Sequence, residues 1–183
     1  THQNGVLKLS AQLFPLMPGE KREARLELML PGQKWSVAAK AEVHYPGWDA
    51  HFRIENWDDS HDVKYRVCHG EKAKFEGLIR KDPKNQDEIV VANLSCNSSR
   101  TTGPRQEIVE NIRHHNPDLL FFGGDQHYRH TENTTGWIEF GMQYRDIIRD
   151  RPTICIPDDH DVGHGNAWGE SGKKSTTTGD ADG

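Results

Sequence analysis

Residues 117–128 are the stretch that most constrains the fold, because an apolar run there stops at a pair of glycines. The run predicts a short buried strand, and Gly123-Gly124 predicts the corner that brings Asp125 to the end of that strand. Residues 89–96 and 153–160 follow the same course, since each is apolar until it turns abruptly polar. Ligands of open α/β sheets bind at the carboxyl ends of the strands. Three strands that end in this way therefore predict a ligand site at one edge of a parallel sheet.

The N-terminal part of the chain has a different period. Over most of the first 80 residues apolar side chains alternate with polar ones, as at Leu26, Leu28 and Leu30, and turn signals recur between the alternating runs. Strict alternation predicts strands with one buried face and one wet face. We therefore expect residues 1–80 to form an all-β sandwich of the immunoglobulin or fibronectin type.

The pattern changes after residues 81–88, a wholly polar run that reads as a linker. Residues 89–92 are continuously apolar, as a strand covered on both faces should be. Two segments with helical spacing follow, one ending at Asn116-Pro117 and one at about residues 134–149, and each precedes another predicted strand. This order of elements predicts a parallel βαβαβ unit, so we expect residues 89–183 to form part of an α/β domain.

Composition argues against several functional classes. The chain has 183 residues, a net charge of -5 and a hydrophobic content of 33%. A general nucleic-acid binder needs a basic face that neutralises phosphates, so we predict no specific nucleic-acid binding. No apolar run approaches the ~18 residues that indicate a membrane span. The three cysteines lack paired spacing and do not indicate a disulfide scaffold.

Chemically active side chains collect at the ends of the three predicted strands. Taken singly, each has an ordinary reading, because a carboxylate can cap a helix and a cysteine can act as a small buried hydrophobic residue. Taken together, they predict a metal site. The candidates are Cys96 and Asn97 after the first strand, Asp125 and Tyr128 after the second, and Asp158, Asp159, His160 and Asp161 after the third.

Three short blocks carry a resemblance to a known family. They are Ser95-Cys96, then Gly124-Asp125 with Tyr128 three residues after the carboxylate, and then Asp158-Asp159-His160-Asp161. This set resembles the alkaline phosphatase D (PhoD-like) branch of the calcineurin-like metallophosphoesterases, which is related to the purple acid phosphatases. The chain departs from the wider family at the first strand, where residues 93–98 lack the usual Asp-x-His.

The resemblance implies a binuclear metal site. Cys96 as a thiolate and Tyr128 as a phenolate would hold Fe³⁺, and Asp125 would bridge that ion to a second metal. Asp159 would bind the second ion, which is Ca²⁺ or another divalent metal such as Zn²⁺ or Mn²⁺, since carboxylate oxygen suits a hard cation. Asp158 and Asn97 would be further ligands or supporting residues.

The resemblance also implies an activity, the hydrolysis of phosphomonoesters or phosphodiesters by a metal-activated water. His160 would contact the phosphate or protonate the leaving oxygen, and Asp161 would orient His160. The resemblance covers about residues 22–166. We therefore expect this chain to be an N-terminal part that hydrolyses little alone, with the C-terminal half of the catalytic domain supplying further ligands. Family analogy implies an exported protein.

Two other functional readings remain open. Residues 160–164 imitate the His-Glu-x-x-His motif of zinc peptidases, but that motif needs a helix, which Gly163 would weaken. The second alternative is a noncatalytic binding module with a vestigial phosphoesterase site, because the first strand lacks its Asp-x-His. Activity of the whole protein would separate this module from an enzyme.

Overall fold

A computed structural model describes residues 1–98, 105–129 and 132–161. The chain divides into two compact units. The first unit contains residues 1–88 together with the short segment 149–151. The second unit begins at Ile89 and contains the remaining residues. Secondary structure is mostly β-sheet, with two helices in the part of the chain that is described.

The first unit is built from antiparallel strands in two sheets. One sheet has the strand order β1-β2-β5, and the other has the order β4-β3-β6-β7. The strands are β1 (His2–Gln3), β2 (Val6–Gln12), β3 (Glu23–Met29), β4 (Ser36–Glu42), β5 (Asp49–Glu55), β6 (Val63–His69) and β7 (Ala73–Ile79).

One hydrophobic cluster joins the two sheets of the first unit. Leu7 and Phe52 come from the smaller sheet, and Leu26 and Val63 come from the larger one; all four are buried. The alternation weakens at the edges of the larger sheet, where an apolar side chain such as Val37 on β4 is 52% exposed. An edge strand lacks one neighbour, so its apolar residues are covered less completely than those of a central strand.

The second unit alternates strands with helices. Its elements are β8 (Val91–Leu94), α1 (Gln106–His115), β9 (Leu119–Gly123), α2 (Asn133–Ile148) and β10 (Thr153–Ile156). The strands pair in parallel in the order β10-β9-β8. Helix α1 ends at Asn116, whose left-handed backbone (φ 47°) lets its N–H bond to the carbonyl of Ile112. Within the described residues, no helix is long and apolar enough to cross a membrane.

Both helices of the second unit contribute to one hydrophobic cluster with the central strand β9. Leu120 and Phe122 of β9 are buried there, with Val109 of α1 and Phe140 and Ile147 of α2. Packing of an amphipathic helix face against a sheet explains why the helical spacing in the sequence located both helices.

The opposite face of this sheet carries exposed apolar side chains. The pairing register places Val91, Leu119, Phe121, Ile154 and Ile156 on this face, which we call the open sheet face. The prediction that residues 89–92 are covered on both faces was wrong for the described structure, since Ile89, Val90 and Val91 are about half exposed. The reason is that β8 lies at the edge of its sheet.

Candidate metal centre

The loops after β8 and β9 interlock at the carboxyl edge of the sheet. Cys96 (φ 55°), Asp125 (φ 57°) and Gly124 (φ 99°) all have left-handed backbone conformations. The backbone N–H of Asn97 donates to the carbonyl of Asp125 at 2.8 Å, and that of Cys96 donates to the carbonyl of Gly124 at 3.2 Å. A Cβ atom on Gly124 would lie 2.5 Å from the Cβ of Asp158. Non-glycine residues with positive φ are uncommon and concentrate at functional sites.

Asp161 holds the loop after β9 in this shape. One carboxylate oxygen accepts backbone N–H bonds from Asp125 at 2.7 Å and Asp158 at 3.0 Å. The other oxygen accepts from Gln126 at 2.7 Å and His127 at 3.3 Å. Charge-assisted bonds from backbone N–H groups to a carboxylate are stronger than neutral ones. Asp161 therefore fixes the backbone that presents Asp125.

These bonds indicate a different role for Asp161 from the predicted one. The sequence analysis assigned Asp161 to orient His160. Its two carboxylate oxygens instead accept bonds from the backbone, and the carboxylate beside His160 belongs to Asp159, at 3.9 Å from the imidazole Nε2. Asp161 is thus a positioning residue of the loop, which residue spacing alone did not reveal.

The carboxylate of Asp125 is the centre of a first group of possible ligands. Asp125 is only 7% exposed. Its Oδ2 accepts from the hydroxyl of Tyr128 at 2.8 Å and from the Sγ of Cys96 at 3.6 Å. Its Oδ1 is buried and has no hydrogen-bond partner among the described residues. A buried carboxylate oxygen without a partner is costly, and a cation would satisfy it.

A second group of possible ligands uses the same carboxylate. One ligand atom each from Asp125, Asp159 and His160 lie within 4.8 Å of one another. The imidazole of His160 also stacks against the ring of Tyr128, with ring centroids 4.2 Å apart. Asp125 is therefore the common member of both groups. His160, predicted only as a catalytic residue, also offers a possible ligand atom to the second group.

The electrostatics of the centre favour a cation. Burial, and then the hydrogen bond to Asp125 and the proximity of Cys96, raise the pKa of the Tyr128 hydroxyl well above its usual value. The cause is that an ionised phenol would face other anionic groups in a partly desolvated place. A positive ion would reverse this effect, because an adjacent opposite charge favours the ionised form.

Asn97 and Asp158, the two remaining predicted residues, make hydrogen bonds within the surrounding loops. Asn97 donates from its Nδ2 to the carbonyl of Gln126 at 3.0 Å and to the Oε1 of Gln143 at 2.8 Å. Its Oδ1 accepts from the Nε of Arg105 at 2.7 Å. Asp158 accepts the backbone N–H of the next residue at 2.8 Å. Of the two roles left open by the sequence, these bonds favour the supporting one for both residues.

The sequence analysis missed two residues that shape the centre. Gln126 is 2% exposed and donates from its Nε2 to the carbonyls of Phe122 and Ile156, which ties the ends of β9 and β10 together. Arg105 holds Asn97 and also donates to the carbonyl of Ser98 at 2.7 Å. Gln126 follows Asp125 directly, so its place in the second block was an available signal. An open cavity of about 450 Å³ adjoins these groups and is lined by Cys96, Asn97, Arg105, Asp125, Gln126 and Tyr144.

The described residues of the His-x-x-x-His segment do not support a zinc peptidase. His160 lies in a turn after β10 rather than on a helix. His164, the second histidine of the imitation, lies outside the described residues. The motif requires both histidines on one helix face, so this reading loses its structural basis at His160.

Comparisons with known proteins bear on the fold. No family model matches the chain, and no curated protein matches it by sequence. Among solved structures, PhoD matches with a TM-score of 0.69 and 13% identity over 95% of this chain and 40% of that one. The chain has a PhoD-like fold. A purple acid phosphatase from yellow lupin (Lupinus luteus) seeds matches with a TM-score of 0.63 and 13% identity, over 96% of this chain and 37% of that one.

These likenesses confirm, at the level of the fold, the relationship predicted from the three blocks. The second of these neighbours is a purple acid phosphatase. The chain spans well under half the length of either neighbour. The comparisons therefore establish a shared architecture, and the chemistry rests on the residues of the centre itself.

Proposed function

We propose that this chain is part of a metal-dependent phosphoesterase that hydrolyses phosphomonoesters or phosphodiesters at a binuclear site. One observation carries the proposal: the buried carboxylate of Asp125 belongs to two groups of possible ligands, and one of its oxygens has no partner in the described part of the chain. A carboxylate in that position can serve two cations at once. The parallel pairing of β8, β9 and β10 supports the same proposal, because ligands of such sheets bind at the carboxyl ends of the strands.

The donor set suits two different ions. Cys96 and Tyr128 offer a thiolate and a phenolate for Fe³⁺, whereas Asp159, with His160 in reach, offers ligands for Ca²⁺, Zn²⁺ or Mn²⁺. When bound, the two ions would supply Lewis-acid activation of the ester and of the attacking water. Asp125 would be shared between them.

The residues of the chain itself perform the remaining tasks. Asp161 fixes the loop that carries Asp125, so the ligands need little rearrangement when a cation arrives. His160 is held between Asp159 and the ring of Tyr128, and from there its imidazole can contact a phosphate oxygen or give a proton to the leaving oxygen.

We also propose that the centre is completed by the further half of the catalytic domain. PhoD and the lupin phosphatase have chains more than twice as long as the part that this chain covers. The open sheet face is apolar and exposed at Val91, Ile154 and Ile156, which is the kind of surface that another layer covers. The proposal includes an N-terminal sandwich of the immunoglobulin or fibronectin type, which rests on the alternating pattern and the two antiparallel sheets. It also includes export of the protein, which rests on the resemblance.

The test is hydrolysis of p-nitrophenyl phosphate and bis-p-nitrophenyl phosphate by the full-length protein after loading with iron and a divalent metal. Asp125→Asn should lower kcat/KM by more than about 100-fold, since even residues that only support a ligand change activity by that order. Asp118→Asn is the matched control, because Asp118 bonds the backbone N–H of Val90 at the other end of β9.

Each outcome has a definite meaning. Retention of activity by Asp125→Asn would contradict the proposed centre. Bound metal without hydrolysis of either ester would favour the noncatalytic binding module, for which the missing Asp-x-His at the first strand is the motivating observation. A rate for the 183-residue chain equal to that of the full-length protein would contradict the need for the second half.

A further inference from the structure

A separate cluster of possible metal ligands lies in the first unit, on the hairpin that leads into β5. One ligand atom each from His44, Asp49 and His51 lie within 4.8 Å of one another. None of these residues belongs to the candidate centre at the strand ends. We infer that His44, Asp49 and His51 form a Zn²⁺ site that is independent of the phosphoesterase centre.

The backbone places these three side chains on one face. His44 and Asp49 are directly opposite each other in an antiparallel bridge, and the N–H of His44 donates to the carbonyl of Asp49 at 2.8 Å. Directly opposed residues have neighbouring side chains. Asp49 and His51 are two residues apart on β5, so their side chains also point to the same side. The arrangement follows from strand geometry.

Contacts among the three side chains, and a bond from Gln12 on β2, hold the ligands in place. Oδ2 of Asp49 contacts Nε2 of His51 and lies 3.7 Å from Nδ1 of His44. The turn between His44 and Asp49 is fixed by Gln12, whose Nε2 donates to the carbonyl of Gly47 at 2.7 Å. A site built on strands and a fixed turn is more precise than one on a free loop.

Ser10 on β2 orients one of the two imidazoles. Its Oγ lies 2.9 Å from Nδ1 of His51. With the proton on Nδ1 and donated to Ser10, the lone pair of Nε2 is directed toward Asp49. Metal-binding histidines commonly donate their second ring nitrogen in this way, and the partner sets the tautomer.

The donor set selects the class of ion. Two imidazole nitrogens and one carboxylate oxygen are the ligands of a zinc site with three protein ligands, in which a water takes the fourth position. Imidazole also favours Cu²⁺ and Ni²⁺, whereas Ca²⁺ and Mg²⁺ prefer all-oxygen sites. Both histidine side chains are more than half exposed, so the ion has free access from water.

The experiment is a Zn²⁺ titration of the full 183-residue chain carrying Cys96→Ser and Asp125→Asn, which removes ligands of the other centre. A chromophoric chelator reports the free Zn²⁺, and Co²⁺ is titrated in parallel for its visible spectrum. We expect one equivalent of Zn²⁺ to bind and a four-coordinate Co²⁺ band to appear. The added double substitution His44→Ala and His51→Ala should abolish both signals.

Two further variants distinguish a built site from surface adsorption. Ser10→Ala retains all three ligands but removes the orienting bond, so the Kd should rise by about 10–100-fold. His69→Ala is the control, because His69 is a half-buried histidine of the same unit and bonds the carbonyl of Lys21 instead. An equivalent of Zn²⁺ that survives loss of His44 and His51 overturns the inference, and so does an equal loss of binding in His69→Ala. Circular dichroism of each variant checks that the fold is retained.

Discussion

The two units differ in what they bury. The hydrophobic cluster of the first unit fills the space between two antiparallel sheets. In the described part of the chain, every buried polar or charged residue lies in the second unit, and the three are consecutive: Asp125, Gln126 and His127. The first unit therefore gains stability from apolar contacts, whereas the second holds polar groups inside at the end of β9.

This difference in burial identifies a candidate functional site without reference to any family. Burial of a carboxylate costs free energy unless a partner compensates for it. Asp161 and Gln126 satisfy the backbone around Asp125, yet one oxygen of Asp125 has no partner among the described residues. Functional sites concentrate where groups are held at such a cost, and the proposed metal centre depends on this observation.

The largest expected effect on stability comes from comparing a substitution on the central strand of the second unit with one on an edge strand. Leu120 on β9 is fully buried, so Leu120→Ala should lower the free energy of unfolding by about 2–5 kcal/mol. Ile154 on β10 is 41% exposed, so Ile154→Ala should cost less than about 1 kcal/mol. Urea unfolding of both variants measures the difference. Equal losses would mean that the open sheet face is covered in the protein studied.

The second prediction concerns the corner before Asp125. Gly124 has a φ of 99°, and a Cβ there would meet Asp158 at 2.5 Å, so Gly124→Ala should destabilise the protein by about 2 kcal/mol. Gly141 lies inside α2 with nothing within 4 Å of an added Cβ, so Gly141→Ala should stabilise it by about 0.5–1 kcal/mol. Denaturation midpoints give both signs, and a harmless Gly124→Ala would contradict the described corner.

The smallest predicted effect is a pH dependence of the free energy of unfolding, which comes from a tyrosine in the interior of the first unit. Burial raises the pKa of Tyr65 to about 12, and its hydroxyl donates to the carbonyl of Arg149 at 2.9 Å. The folded protein therefore keeps this proton longer than the unfolded chain, whose tyrosines ionise near pH ~10. The contribution is complete below pH ~10 and is lost as the pH rises toward 12, with about 1.4 kcal/mol gone by pH ~11.

Unfolding free energies at pH values from 9 to 11 should show this loss in the wild-type protein. Tyr65→Phe should have a smaller slope over that interval, because its ring has no proton to lose. Identical slopes in the two proteins would show that Tyr65 is accessible to water in the folded state.

The sequence located the elements better than it located their surroundings. The strand predicted after Pro117 and the helix predicted at about residues 134–149 correspond to Leu119–Gly123 and Asn133–Ile148, because glycines, prolines and helical spacing mark those boundaries locally. The run at residues 89–92 misled the burial prediction, because an apolar strand has the same composition at the edge of a sheet as at its centre.

The candidate site shows the same division. Cys96, Tyr128, Asp159 and His160 lie around the carboxylate of Asp125, since parallel strands bring their carboxyl ends to one edge. Their roles as metal ligands stay a prediction. The bonds of Asp161 and Asn97 were not predictable, because they depend on which backbone N–H groups and side chains the loops turn toward them. Pattern identifies residue types at an edge, but only the folded loop assigns their partners.

The most direct test of the metal centre is the visible absorption spectrum of the iron-loaded protein beside a Tyr128→Phe variant. A phenolate bound to Fe³⁺ gives a charge-transfer band that the variant must lose at equal iron content, measured by elemental analysis. Tyr144→Phe is the control, because Tyr144 lines the cavity beside Cys96 and Asp125 but its hydroxyl donates to Asn97. We predict a band in the wild type and Tyr144→Phe that is absent from Tyr128→Phe. An unchanged band in Tyr128→Phe, or iron bound without colour in the wild type, would contradict a ferric site at the strand ends.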